Sequence, residues 1–201
     1  VAAVLAATAL AQDEHQRRLG AELVVMAGDA RRLAAGSEPP RQLAGVRARL
    51  AGAFSSLPLL LRQAGGGGAE RVPGLRAAFT RGDWKALDKG LGELRRRHPL
   101  DLGRILPATP TAERLRLGES IHRQACAGCH DTPAADDRGK SRPDVFLPAF
   151  NLAGQMRTMP QEEFAARLLN GVRGNASTAY HNPFSDLEIR ALIAYYAGGA
   201  R

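Results

Sequence analysis

Five consecutive residues, Cys126-Ala127-Gly128-Cys129-His130, constrain this 201-residue chain more than any other feature. Both of its cysteines lie in that run, so there is no distant partner for a long-range disulfide. Two thiols three positions apart at the end of a helix can reach the vinyl groups on adjacent pyrroles of a haem and form thioethers. A histidine directly after the second cysteine then lies under the iron. The spacing therefore implies one haem c, with its iron, attached at Cys126 and Cys129 and ligated by His130. A thioredoxin-like dithiol would need a βαβ context. A zinc site would need a fourth ligand and usually a second cysteine pair. The surrounding sequence supplies neither. A domain of about 90 residues buries little surface by itself, and a macrocycle in its core would supply the missing apolar contact.

The rest of the chain reads as all-α. Alanine, leucine, arginine and glycine dominate, aromatics are 5% of residues, and β-branched runs are scarce. Leu19, Leu23, Met26, Ala30 and Leu33 recur at spacings of three and four, which predicts a helix over 13–35, ended by Gly36 and Pro39-Pro40. A second helix carries Leu43, Val46, Leu50, Phe54, Leu57 and Leu61 on one face. Gly65 to Gly68 then reads as a flexible turn. Residues 74–80 form a short helix, and Asp83 caps a fourth with the stripe Trp84, Leu87, Leu91 and Leu94. Such helices with short connections suggest an antiparallel bundle over 12–106. His15 and His98 are isolated there and read as solvated or packing residues, and no metal or catalytic constellation is visible. Pro107 and Pro110 mark a boundary, after which Thr111 starts a helix leading into the cysteines.

Charge divides at that boundary. The net charge is +8; residues 12–106 hold 17 Lys and Arg against 10 Asp and Glu, and residues 107–201 hold 11 against 10. The basic bundle is thus a candidate docking module for an acidic redox partner protein, a membrane respiratory complex or anionic lipid. Arg95-Arg96-Arg97 is a candidate patch, although such runs usually serve as solvated faces. Residues 1–11 are apolar and end in Ala9-Leu10-Ala11, which resembles a signal-peptide remnant with an A-x-A cleavage site. The expected location is therefore periplasmic, with nucleic acid excluded as a partner. No other segment has the ~20 apolar residues of a membrane span.

Residues 118–199 resemble a class I c-type cytochrome, of the small bacterial periplasmic kind. Gly118 matches the family's glycine ahead of the haem motif, and His122 stands where the family carries an aromatic, as a helix-packing residue rather than a ligand. Pro148-Ala149-Phe150-Asn151-Leu152-Ala153-Gly154-Gln155 resembles the P-x-L-A-G-Q segment. The resemblance implies that a proline carbonyl orients the proximal histidine, with Pro148 the first candidate and Pro143 the second. Ser185 to Tyr196 resembles the last helix, with Ser185 as N-cap and Glu188 as its box partner. It also implies that Gly118 lets the first and last helices cross closely, with Leu192 and Tyr195 packed at the crossing.

The family places a methionine ligand between its middle and last helices. Here the middle helix is about 161–170, and no methionine follows Asn170. His181 occupies that place, which makes His130 and His181 the leading iron-ligand pair; Met159, before Pro160, and Met156 are the alternatives. The function this implies is electron transfer, as a carrier or as an electron-transfer subunit of a redox complex, and not as an enzyme. The alternative is a haem-based sensor or ligand-binding protein with a displaceable sixth ligand.

Overall fold

The computed structural model describes residues 13–131, 151–171 and 184–198. Among them there is no strand, and no helix is long and apolar enough to cross a membrane. The chain is all-α. The signal-peptide remnant expected over 1–11 lies outside the described residues.

Four helices build the N-terminal bundle: α1 (Glu14–Ala35), α2 (Pro40–Ala64), α3 (Val72–Arg81) and α4 (Trp84–Arg97). Their stripes meet in one core. Leu19, Leu23 and Met26 of α1, Leu50 and Leu57 of α2, and Leu87 and Leu91 of α4 are fully buried. Phe79 of α3 closes this core against Phe54, with ring centroids 5.5 Å apart. α3 begins two residues before the sequence pattern suggests, because Pro73 fits the first turn, where a missing N–H costs nothing.

Inside α2, Pro58 cannot donate to the carbonyl of Phe54, four residues earlier. Arg76 of α3 replaces the lost donor, with Nη2 2.8 Å from that oxygen. The helix thus continues through the proline at the cost of one arginine committed to its backbone. Asp83 caps α4 as expected, accepting from the Ala86 N–H at 3.0 Å.

All four glycines from Gly65 to Gly68 have positive φ, between 69° and 107°, a conformation few other residues adopt. The loop is tied down at two points. His98 Nε2 lies 3.0 Å from the Gly67 carbonyl, and Glu70 accepts from the Gly68 N–H at 3.0 Å. His98 is buried in doing so, so of the solvated and packing roles expected for it the structure shows packing.

The second half contains α5 (Ala112–Ile121), α6 (Ala127–His130), α7 (Leu152–Thr158), α8 (Gln161–Asn170) and α9 (Asp186–Gly198). Its core gathers Met156, Phe164, Ile189, Leu192, Ile193 and Tyr196, together with Ile105 from the connecting segment. Asn151 caps α7 by accepting from the Gly154 N–H at 2.8 Å. Ser185 and Glu188 form the expected capping box on α9: the Ser185 N–H donates to Glu188 Oε2 at 2.7 Å, and the Glu188 N–H to Ser185 Oγ at 3.4 Å. The Ser185 N–H and then its hydroxyl, which donates to the same Oε2 at 2.8 Å, hold the Glu188 carboxyl below its usual value.

The two halves share a seam. Ala21, Val24 and Val25 of α1 pack on Ala166 of α8, forming an apolar strip between the two larger cores. Beside it, Asp29 of α1 is fully buried and binds Arg167 of α8 at 2.6 Å, as well as Arg49 of α2. Glu163 of α8, also buried, takes Arg167 at 2.7 Å and Arg31 at 3.0 Å. Burial works against the charged form of Arg167, but Asp29 and Glu163 outweigh it and raise its affinity for the proton. Gly28 makes room for this arrangement, since a Cβ there would overlap the Glu163 carboxylate. Nearby, burial pushes the Glu22 carboxyl up, opposed by Arg49, and Glu22 accepts from Asn170 Nδ2 at 2.9 Å.

Candidate haem-attachment site

The attachment run begins where α5 changes pitch. From His122 to Cys126 the helix widens into a π turn, with the Ala127 N–H donating to the His122 carbonyl five residues back. Such turns often mark functional sites, because the extra residue re-aims the side chains beyond it. α6 then runs from Ala127 to His130. Cys126 closes the π turn, and Cys129 is the third residue of α6. Cys126 and His130 are both half-buried.

Gly118 explains how this turn is held against α9. A Cβ at that position would collide with the Ala191 carbonyl oxygen and with Tyr195 Cβ. The bare glycine lets the backbones of α5 and α9 approach closely, with Leu192 fully buried at the crossing. Tyr195 lies half-buried there, its ring 5.5 Å from that of His122.

His122 is 5% exposed, and both ring nitrogens are engaged. Nδ1 lies 2.9 Å from the Tyr196 hydroxyl, and Nε2 lies 2.8 Å from Asp131 Oδ2. The Tyr196 ring stands edge-on to His122 and to Phe164, at 5.5 and 5.7 Å. Burial, then the neighbouring Cys126, pushes the Tyr196 phenol far above its ordinary value, so it remains a donor.

The donor set of two thiols and an imidazole on one turn suits a covalently held haem. Ile121, the last residue of α5 before the turn, joins the second core, against which Leu152, Met159, Leu168 and Phe184 also pack half-buried. Cys126, Cys129 and His130 are the residues that would hold the group. His181, Pro148 and Pro143 lie outside the described residues. Met156 is buried in the second core, and Met159 is half-buried against it. Among the described residues there is no cluster of three or more His, Cys, Asp or Glu able to hold a bare metal ion.

The sequence pattern missed two features. Tyr196 and Asp131 were not marked as partners of His122, and nothing local marks them. The charges of the seam were also missed, although Asp29 carried a signal. It sits three residues after Met26 and four before Leu33, on the apolar stripe itself, where a carboxylate needs a buried cation.

The basic triplet is divided by the structure. Arg95 is committed to Glu162 of α8, with Nη2 2.9 Å from Oε2, whereas Arg96 and Arg97 are exposed beside a cleft of about 320 Å³.

Residues 113–195 match the family described as cytochrome c oxidase, cbb3-type, subunit III. No significant match was found among curated proteins or among solved structures.

Proposed function

We propose that the C-terminal part of this chain is a c-type cytochrome domain that serves as an electron carrier, and that the whole is an exported, periplasmic monohaem electron-transfer subunit of a respiratory redox complex. The observation that carries the reading is the single Cys126-x-x-Cys129-His130 turn, locked at the Gly118 crossing inside a domain that matches an oxidase-subunit family. The bound iron would supply one-electron exchange. The chain's own residues anchor the group, keep one face of it against an apolar core, and hold the axial histidine at the end of α6.

One haem is proposed because these 201 residues carry one attachment motif and two cysteines. His130 and His181 are proposed as the iron ligands. Imidazole donates to ferric iron better than a thioether does, so the potential should lie below that of a His/Met site. Purified holoprotein should hold one iron per chain, cycle reversibly between two oxidation states, and be low-spin when oxidised, without the far-red methionine-to-iron band. His181→Ala should open the ferrous iron to carbon monoxide. A strong far-red band lost in Met159→Ala would assign the ligand to Met159. Carbon monoxide binding by the unmutated protein would favour the sensor reading.

The basic bundle is the proposed docking module, its partner a protein with an acidic surface. Opposite charges steer encounter over about a Debye length, ~10 Å at 0.1 M salt. Association with the partner should slow steeply as salt rises. Because Arg95 belongs to the seam, the test falls on its exposed neighbours. Replacing Arg96 and Arg97 with glutamine should slow association severalfold and leave the haem potential in place. Unchanged association would remove the bundle from docking.

A further inference from the structure

We infer that His122 is a positioning residue: it ties both ends of the haem-attachment turn to the last helix, and so sets the orientation of the axial histidine. The inference rests on the haem reading above. His122 precedes Cys126 at the start of the π turn, and its Nε2 reaches Asp131, the residue directly after His130, at 2.8 Å. The side-chain bond from 122 to 131 therefore encloses the whole attachment run. From the other nitrogen, the 2.9 Å contact to Tyr196 fastens that closed loop to α9.

The chemistry of the two partners orders the bonds. An ionised Asp131 only accepts, so Nε2 carries the hydrogen it shares with that carboxylate. Nδ1 is then the acceptor for the Tyr196 hydroxyl. A phenylalanine, which would restore the family's aromatic at this place, could fill the same space but make neither bond. Burial makes the difference matter. His122 is 5% exposed and Tyr196 3%, so losing the imidazole takes one of two partners from the buried hydroxyl, the other being Cys126, and water cannot readily replace it. Tyr195 packs on the His122 ring, and Gly118 holds α5 against α9 four residues earlier. The imidazole is therefore clamped between fixed elements, and its two bonds have a defined direction. Asp131 directly follows His130, so fixing its side chain restrains the backbone that carries the axial imidazole, and a ferric haem would report that orientation in its spectrum.

The experiment compares unmutated holoprotein with His122→Phe, His122→Gln, Tyr196→Phe and the double variant His122→Phe/Tyr196→Phe. Covalent haem is measured by pyridine haemochrome, ligand orientation by electron paramagnetic resonance of the ferric protein, and stability by urea unfolding. His122→Phe should shift or broaden the ferric signal, with a loss of about tenfold or more in the folding equilibrium. His122→Gln, which can still accept at one atom and donate at another, should stay close to the unmutated signal. The double variant should be displaced no further than His122→Phe alone, because the two residues act through one bond. If His122→Phe does not fold, Tyr196→Phe carries the test and should move the same signal. An unchanged ferric signal in the phenylalanine variants, or independent addition of their effects, would overturn the inference. Unmutated protein without covalent haem would overturn the haem reading itself, and this inference with it.

Discussion

Cys126→Ala and Cys129→Ala should each break one thioether, and the double variant should release the haem entirely to acid-acetone extraction, whereas the unmutated chain retains it. The expected change is from near-complete retention to near-complete loss, the largest effect on this site. Each single variant keeps one unreacted vinyl group, which should shift its pyridine haemochrome away from that of a normal haem c. His130→Ala should also depress maturation, since the imidazole at the end of α6 is the one proposed to ligate the iron. The effect should extend past the cofactor. Ile121, Leu152, Met159, Leu168 and Phe184 are only partly buried around the second core. Without the macrocycle, a unit of about 90 residues buries little of its own surface, so the double variant should unfold at lower urea. Haem that extracts freely from the unmutated chain would remove the basis for c-type attachment.

Asp29→Ala should destabilise the protein by about 3–5 kcal/mol, the usual cost of leaving one side of a buried ion pair without its partner. Asp29 is fully buried and takes guanidinium groups from three residues: Arg32 and Arg49 within the bundle and Arg167 of α8. Removing the carboxylate leaves these cations around a site that also contains the apolar strip of Ala21, Val24, Val25 and Ala166. Glu163 can compensate Arg167 in part, because it bonds that guanidinium at 2.7 Å. Asp29→Asn keeps an acceptor but loses the charge, and should fall between the two. Unfolding in urea should be followed by far-ultraviolet circular dichroism for the helices and by Soret absorption for the haem site. Both probes should shift together, because the seam joins α1 to α8. A shift confined to the helical signal would show that the halves unfold separately. A change below about 1 kcal/mol would show the network to be screened like a surface pair.

This coupling changes how the N-terminal part is understood. The charge split alone makes it look like a separable adaptor. In the structure it also braces the C-terminal part: Arg31 and Arg95 reach Glu163 and Glu162 of α8, and Arg17 pairs with Asp186 at the start of α9. Docking and support can coexist, because the exposed Arg96 and Arg97 take no part in these seam contacts.

Several features were legible from the residues because their causes are local. The helices were readable from apolar spacing, since a 3.6-residue period decides which side chains share a face wherever the helix packs. Asp83 and the Ser185–Glu188 box were readable because a cap needs only residues three apart. The attachment motif was readable because thioether and iron bonding require five consecutive residues in one order. Gly118 was readable through resemblance, and the structure supplies its reason in the Ala191 carbonyl.

What only the tertiary structure decided depends on partners far away in the chain. Asp29 and Arg167 are 138 residues apart, and nothing in either neighbourhood names the other. His122 and Tyr196 are separated by 74 residues; only the crossing of α5 and α9 turns a helix-packing histidine into a two-ended bridge. Arg95 and Arg96 are adjacent and chemically identical, yet α8 passes close enough to one to pair with it while the other stays exposed. Periodicity and covalent chemistry act within a few residues, so sequence alone carries them. The pairing of buried charges and hydrogen bonds depends on which helices are brought together, and that is settled only when the cores close.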